Sequence, residues 1–315
     1  LDIVFVDEAQ DLTTKQWKVI ERLSESCKIR YIAGDDDQAI YKWAGADVRK
    51  FLSIKGNIQV LPVSYRLPKK IHGLANQISN RISLRQNKEW SCRDEEGTIT
   101  EIQSIEDIDM SKGNWLVLAR SGYQLNKAES YCKRMGWFYE KGYNEFRANK
   151  YVIAIRSWIA LNNQEKISYD ELKKLYSCLR TNVGVKRGFK GLKNIETDID
   201  FDLEYLKENV GLLAEGEWQD ILEGLDPEDI LMFESLVKSK DIFKNKARIR
   251  LSTIHGMKGG ESENVVVMSD ISYKTWRKLN TEPDDEHRVF YVAITRAKKN
   301  LFILQPETKY SYDIR

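Results

Sequence analysis

The chain has 315 residues, of which 42% are hydrophobic and 31% are charged. This length and composition predict about two folded domains and argue against disorder as the default state. The formal net charge of +2 excludes a globally basic nucleic-acid-binding protein, so any nucleic-acid contact must be local.

The first two predicted strands both end in acidic residues. Residues 1–6 are predicted to form a strand covered on both faces, because apolar residues run from Ile3 to Val6 without alternation before Asp7 and Glu8. A second strand, 30–33, leads into the acidic segment 34–38. Open α/β sheets bind ligands at the carboxyl ends of strands, so these residues predict one wall of a nucleotide site. An Asp there can hold Mg²⁺ through waters, and a neighbouring Glu can activate an attacking water.

The pattern up to residue 147 alternates between strands and helices. Apolar periodicity and turn residues predict helices at 14–24, 47–54, 68–78 and 123–135, and strands at 58–63, 97–103, 115–119 and 137–140. Residues 85–97 are polar and are predicted to form a loop. The alternation predicts an α/β fold with a parallel sheet.

From about residue 148 to residue 246 the periodicity is helical. Residues 172–193 contain seven basic residues and no acid, whereas residues 195–236 contain fourteen acids and one base. This division predicts a separate helical module, although two oppositely charged solvated faces would give the same pattern. Strands return at 248–254, 264–268 and 301–304, with a helix at 284–298. The chain therefore reads as an α/β lobe into which an all-α domain is inserted.

Five segments carry patterns of a known family. They are VFVDEAQD (4–11), GDDDQAIYKWAGAD (34–47), SYRLPKKI (64–71), LSTIHGMKGGESENVVV (251–267) and DDEHRVFYVAITRAKKNLFIL (284–304). Together they resemble the UvrD/Rep/PcrA family of superfamily-one DNA helicases. The resemblance implies two RecA-like lobes of the P-loop NTPase type, with ATP and Mg²⁺ in the cleft between them. Ala44 and Gly260 depart from the family pattern, which usually has Arg and Leu there.

The resemblance also implies which residues act on the nucleotide. Asp7 would hold Mg²⁺ and Glu8 would activate water. Tyr65 would stack on the adenine and Glu261 would contact the ribose. Gln38 would sense the γ-phosphate, and Arg66 and Arg296 would be arginine fingers that stabilise its charge. Arg288 is expected to be structural. A Tyr-Arg pair alone more often lies on a surface or packs, so the assignment of Tyr65 and Arg66 depends on the family match.

A second set of residues is implied for DNA. For single-stranded DNA the resemblance implies Tyr41, Trp43, Thr253, His255 and Lys258, the last three as phosphate or coupling contacts. The segment VKRGFKGLKNI (185–195) resembles the family's duplex-contacting Arg-Gly-Ile-Gly turn, which places Arg187 and Lys190 at a duplex junction. A solvated basic loop is the alternative for that segment.

The implied organisation has four parts. Residues 1–57 would be the end of the first RecA-like lobe, 58–147 and 247–315 the second lobe, and 148–246 its helical insert. The 315 residues contain no Gly-x-x-Gly-x-Gly-Lys-Ser/Thr phosphate-binding loop, and the first residue is not Met. We therefore expect a piece of a longer protein that is inactive alone.

The predicted whole protein is an ATP-dependent DNA helicase. It would translocate 3′ to 5′ along single-stranded DNA and unwind duplex. The scattered cysteines fit a reducing cytoplasm, and the longest apolar run is too short for a membrane span. A non-catalytic DNA-binding or scaffold protein that retains the fold is the alternative, and the segment from Tyr41 to Trp43 disfavours an RNA helicase. The pathway (repair, replication or phage), the loading partner and the oligomeric state stay open.

Overall fold

The computed structural model describes residues 2–142, 149–193, 195–244 and 246–315. The chain divides into two compact units: Leu1–Lys127 with Leu251–Arg315, and Ala128–Arg250. The finer division into lobes and insert stays a prediction, and its boundary at residues 147 and 148 lies outside the described residues. None of the described helices is long and apolar enough to cross a membrane.

The first unit begins with a small parallel sheet. It consists of β1 (Ile3–Val6) and β2 (Ile29–Ile32), followed along the chain by α2 (Val48–Leu52), with α1 (Thr14–Leu23) between the strands. Thr13 caps α1 in a capping box with Gln16. The prediction that β1 is covered on both faces is wrong, because Phe5 is 75% exposed. A two-stranded sheet has too few neighbouring strands and helices to bury both of its faces.

The larger sheet of this unit has the order β3-β8-β7-β4-β6. Its strands are β3 (Thr98–Ile102), β4 (Trp115–Ala119), β6 (Ile249–Thr253, which starts at the unit boundary), β7 (Ser262–Met268) and β8 (Ala297–Leu304). The ladders β3-β8, β8-β7 and β7-β4 are parallel. The N–H of Ile254 donates to the carbonyl of Ala119 at 2.9 Å, so β4 and β6 end at the same edge.

Three helices accompany this sheet: α3 (Lys69–Ser79), α10 (Tyr273–Leu279) and α11 (Pro283–Ile294). The core joins Ile71 of α3 and Phe290 of α11 to Leu116 and Val267 of the sheet, all buried. The predicted strand at residues 58–63 is wrong, and Val63 forms only an isolated bridge to Ser91. The preceding Pro62 has no N–H to donate to a ladder.

The second unit is mainly helical. It contains the short strand β5 (Tyr139–Lys141), most of α4 (Asn126–Arg134), and then α5 (Lys150–Asn162), α6 (Tyr169–Cys178), α7 (Leu203–Asn209), α8 (Trp218–Ile221) and α9 (Pro227–Lys238). The predicted helical character of the insert is confirmed over its described part. Buried aromatic side chains fill this unit, and the polar atoms of two of them find carbonyl acceptors: Tyr176 donates to Val210 and Trp158 to Gly216.

Candidate functional site

Asp7 and Glu8 follow β1 directly and are both exposed. The Asp7 carboxylate accepts the N–H of Glu8 at 2.8 Å. Glu8 has a left-handed backbone (φ 49°, ψ 38°), which is unusual for a residue with a side chain and marks a constrained turn. The described residues contain no cluster of three or more metal-ligating side chains. A single carboxylate such as Asp7 can hold Mg²⁺ where waters and phosphate oxygens complete the coordination.

Gln10 connects this turn to the second acidic segment. Its side chain is buried, donates to Glu8 Oε2 at 2.6 Å and accepts the N–H of Asp35 at 3.0 Å. A Cβ at Gly34 would lie 2.5 Å from Gln10 Oε1, so only glycine permits this approach. Gln10 was not among the residues predicted from the sequence, although it lies only two residues after Glu8.

Gln38 lies between an acid and an arginine. Its Nε2 donates to Asp35 Oδ2 at 2.7 Å, and its Oε1 accepts from Arg296 Nη2 at 3.1 Å. Gln38 and Arg296 are 258 residues apart in the sequence. Two of the predicted catalytic residues are therefore in direct contact.

The guanidinium of Arg296 is buried and makes four hydrogen bonds. Besides Gln38, it donates to the carbonyls of Val292 and Gly260 and to the hydroxyl of Thr295. Burial and the neighbouring charge of Arg66 lower the pKa of Arg296 to about 10, so it stays charged at neutral pH. Arginine has five N–H groups, so among the described residues one is left for a further acceptor.

Tyr65, Arg66 and Glu261 line one cavity of about 450 Å³, together with Ser64 and Lys298. Arg66 Nε donates to one oxygen of Glu261 at 2.8 Å and Lys298 Nζ to the other at 2.9 Å. The hydrogen bond from Lys298, reinforced by Arg66 and opposed by burial, lowers the pKa of Glu261. Tyr65 is 86% exposed, so its ring is free to stack on a base. The sequence analysis missed Lys298.

Tyr41, Trp43 and His255 form an aromatic cluster in the first unit. The three ring centroids lie 6.2–6.3 Å apart, and the Tyr41 hydroxyl donates to the carbonyl of His255 at 3.0 Å. Trp43 is 72% exposed. Burial, together with the positive charge of Arg120, lowers the pKa of His255 to about 4. An exposed tryptophan beside a neutral histidine provides a surface on which bases can stack.

Lys258 reaches from the His255 loop to the acidic turn. Its side chain is 7% exposed, forms an ion pair with Asp11, and places Nζ 3.4 Å from Glu8 Oε2. Its ammonium also lies 5.3 Å from the centre of the Tyr41 ring. Lys258 therefore touches both the predicted water-activating carboxylate and the aromatic cluster. Thr253, at the end of β6, accepts the N–H of Gly256 through its hydroxyl at 3.1 Å and shapes the same loop.

Arg187 and Lys190 lie in the second unit and differ in their surroundings. Arg187 is exposed beside Gly188, which has φ 94°. Lys190 instead donates to the carbonyl of Leu179 at 2.7 Å and to Glu223 at 2.9 Å. The insert's basic segment is thus joined to its acidic half at Lys190, a contact that charge counting along the sequence did not reveal.

Arg288 is structural, as expected. Its side chain is buried, and Nε donates to the carbonyl of Asp36 at 2.8 Å. Two further basic residues that the sequence analysis missed, Arg85 and Lys88, lie in the predicted polar loop and pair with the acidic segment 35–37. The sequence provides only an indirect indication of these two residues. Acidic side chains that become buried require cationic partners, but the sequence does not show which basic residues pair with the segment 35–37.

Comparison with known proteins gives the family. The model of the UvrD-like helicase C-terminal domain matches residues 133–308, and that of the UvrD/REP helicase N-terminal domain matches residues 1–59. A probable DNA helicase II homologue of Rickettsia conorii is 24% identical, covering 97% of this chain and 61% of that protein. The ATP-dependent DNA helicase Rep of Buchnera aphidicola is 22% identical, with 95% and 60% covered.

A more similar but shorter match is the ATP-dependent DNA helicase PcrA of Bacillus subtilis. It is 34% identical over 98 residues, or 29% of this chain and 13% of that protein. The alignment to the Rickettsia relative spans 399 positions, so part of that relative has no counterpart in the 315 residues. The chain spans about three fifths of the length of the relatives that it matches nearly throughout. With one family model over more than half of its residues, the chain belongs to the UvrD-like helicase family.

Proposed function

We propose that the chain is part of an ATP-dependent DNA helicase that translocates 3′ to 5′ along single-stranded DNA and unwinds duplex at a junction. The observation that carries the proposal is the contact between Gln38 and Arg296. Gln38 lies in the region matched by the N-terminal family model, and Arg296 in that matched by the C-terminal model. A γ-phosphate beside this pair would meet a charged donor and an amide.

The chemistry proposed is hydrolysis of the terminal phosphate of ATP. Bound Mg²⁺ would neutralise charge on the phosphate oxygens, with Asp7 as its protein ligand. Glu8 orients the attacking water and accepts its proton. Arg66 and Arg296 donate to the oxygens on which charge develops, and Tyr65 and Glu261 hold the base and the ribose.

The proposed link to DNA passes through the loop that carries His255 and Lys258. Single-stranded DNA would stack on Trp43 and contact the His255 loop. A shift of that loop would move the Lys258 ammonium relative to Glu8, which now lies 3.4 Å away. DNA occupancy would therefore change the environment of the water-activating carboxylate. We propose that the protein acts in the cytoplasm, where its four free cysteines stay reduced.

The decisive experiment uses the full-length natural protein that contains these 315 residues. ATP hydrolysis stimulated by single-stranded DNA, abolished by Glu8→Gln, is the expected result. Strand displacement from a duplex with a 3′ tail, and not from one with a 5′ tail, tests the direction. DNA binding without hydrolysis in wild type would instead support the non-catalytic scaffold.

A further inference from the structure

The acidic segment Asp35–Asp37 is held by two basic side chains from the 85–88 loop. Asp36 and Asp37 are almost fully buried, at 2% and 1% exposure. Arg85 donates twice to Asp37, at 2.9 and 2.7 Å. Lys88 Nζ lies 2.6 Å from Asp35, 2.6 Å from Asp36 and 3.0 Å from Asp37. Two buried carboxylates beside the partly buried Asp35 require such compensation, since unpaired buried charge is costly.

Lys88 differs from Arg85 because it forms a hydrogen bond with Asp35. Both cations contact Asp37, but Arg85 otherwise bonds Asn80, whereas Lys88 also bonds Asp35 and Asp36. The second oxygen of Asp35 accepts the amide of Gln38 at 2.7 Å. Lys88 is therefore connected to Gln38 through one carboxylate, whereas Arg85 bonds Asp37 and does not bond Asp35 directly.

The orientation of the Gln38 amide is fixed by its two neighbours. In the observed orientation its NH₂ group faces Asp35 and its oxygen faces Arg296. The flipped amide would place its oxygen against the carboxylate and its NH₂ against the guanidinium, and both contacts would be repulsive. The orientation therefore depends on an ionised Asp35 held in place.

We propose that Lys88 is a positioning residue for Gln38 and acts on it through Asp35. The inference rests on the proposed ATP hydrolysis, in which Gln38 senses the γ-phosphate. Burial alone would raise the pKa of Asp35, but the charge and hydrogen bond of Lys88 and the bond from Gln38 outweigh it, so this pKa is lowered. Without Lys88, Asp35 would lose its paired cation and keep the hydrogen bonds from Gln38 and from the Asp37 N–H, so its carboxylate and the Gln38 amide would be held less firmly.

The first test measures Gln38 directly in the 315-residue chain by NMR, with ¹⁵N-labelled glutamine side chains and Gln38→Ala to assign the signal. Lys88→Met should shift the Gln38 amide signal and speed its hydrogen exchange by about tenfold. Lys88→Arg should restore it. The matched control is Arg85→Gln, which removes an equally buried cation from the same acidic segment and should leave the signal in place.

An unchanged Gln38 signal in folded Lys88→Met would overturn the proposal. If Lys88→Met does not fold, Asp35→Asn takes its place, because it removes the carboxylate charge through which Lys88 acts on Gln38, with almost no change in shape. It should displace the Gln38 signal equally, and an unmoved signal there would also refute the inference.

The second test measures turnover in the full-length protein. Lys88→Met should lower kcat by about tenfold, because a slightly misplaced catalytic group is costly in rate, and leave KM for ATP within about twofold. In a Gln38→Ala background, Lys88→Met should cause no further loss, since both changes act on one group. Arg85→Gln should keep kcat within about twofold of wild type.

Independent losses from Lys88→Met and Gln38→Ala, which multiply in the double variant, would assign Lys88 a general structural role and refute positioning. Absence of hydrolysis in wild type would refute the proposed function. The NMR comparison would then still decide whether Lys88 orients Gln38.

Discussion

Two arginines of the candidate site differ in how much freedom they have. Arg66 has a side chain 34% exposed and one carboxylate partner, Glu261. Arg296 is 1% exposed and donates four hydrogen bonds to the protein. We therefore expect Arg296 to be pre-organised, whereas Arg66 must exchange or share its partner when a phosphate arrives.

Arg66→Ala or Arg296→Ala in the full-length protein should lower turnover by ~10³-fold or more, as loss of an arginine finger does elsewhere. ATP binding should fall less, because these groups act mainly in the transition state. Steady-state hydrolysis and nucleotide titration measure the two effects, with exposed Arg277 replaced by Ala as a control. If either variant keeps its turnover within a few-fold of wild type, that arginine does not act as an arginine finger.

His255 should make the chain less stable in acid. Its pKa is lowered from 6.5 to about 4 in the fold, so the unfolded chain takes up a proton at higher pH than the folded chain does. The stability that His255 contributes is therefore present above pH 6.5 and is lost as the pH falls towards 4. Melting temperatures of wild type and His255→Gln, compared across this range, should converge at low pH. Parallel curves would show that His255 does not titrate in this way.

The aromatic cluster of Tyr41, Trp43 and His255 connects a loop that follows β2 to the loop that follows β6. Tyr41 donates to the backbone of His255, while Trp43 stays exposed beside it. The family resemblance singled out both loops in the sequence, and the structure shows that they are in contact. An exposed ring held by neighbours can bind a base without loss of core packing.

Trp43→Ala should weaken binding of single-stranded DNA by roughly 1–3 kcal/mol with little sequence preference, the usual loss for one stacked base. Its melting temperature should hardly change. Trp17, which is 2% exposed, gives the contrast. Trp17→Ala should destabilise the fold by about 3–5 kcal/mol while affinity per folded molecule is preserved. A large melting loss in Trp43→Ala at unchanged affinity would make Trp43 a packing residue.

The basic turn of the insert contains two different kinds of cation. Arg187→Ala should lower the salt dependence of binding to a forked duplex by about 1 in slope, because one phosphate contact is lost. Lys190→Ala should instead reduce stability by roughly 1 kcal/mol, since Leu179 and Glu223 lose their donor. Salt titrations on forked and single-stranded DNA, with thermal melts, separate the two. Equal losses on both DNAs for Arg187→Ala would contradict a duplex-specific contact.

Sequence patterns predicted strands and helices with periodic apolar residues. They did not predict contacts between residues that are far apart in the sequence. The strands β3, β4 and β7 and the helical character of the insert followed from apolar periodicity. Pro62 and the exposed face of β1 show where hydrophobicity alone misleads. Lys88 could not be found because a buried ion pair between residues 35 and 88 depends on tertiary approach, and the chain offers 50 Lys and Arg residues as partners.

The predicted catalytic carboxylates and arginines are present, but the 315 residues contain no Gly-x-x-Gly-x-Gly-Lys-Ser/Thr phosphate-binding loop. We expect this chain alone to show no steady ATP hydrolysis, because the backbone N–H groups of such a loop are what would cradle the phosphates. A phosphate-release assay with and without single-stranded DNA measures the hydrolysis of ATP by this chain, with the Glu8→Gln variant as the negative control. DNA-stimulated turnover that Glu8→Gln abolishes would show that the chain suffices.

We expect the two-stranded sheet of β1 and β2 to open before the larger sheet of the first unit. Phe5 and Tyr31 stack at 4.9 Å on its exposed face, whereas every residue of β4 is buried in the larger sheet. Amide hydrogens of β1 should therefore exchange with solvent far sooner than those of β4, through local opening and not global unfolding. A ligand that binds Asp7 and Glu8 would be coupled to that opening and would first be detected as added protection along β1.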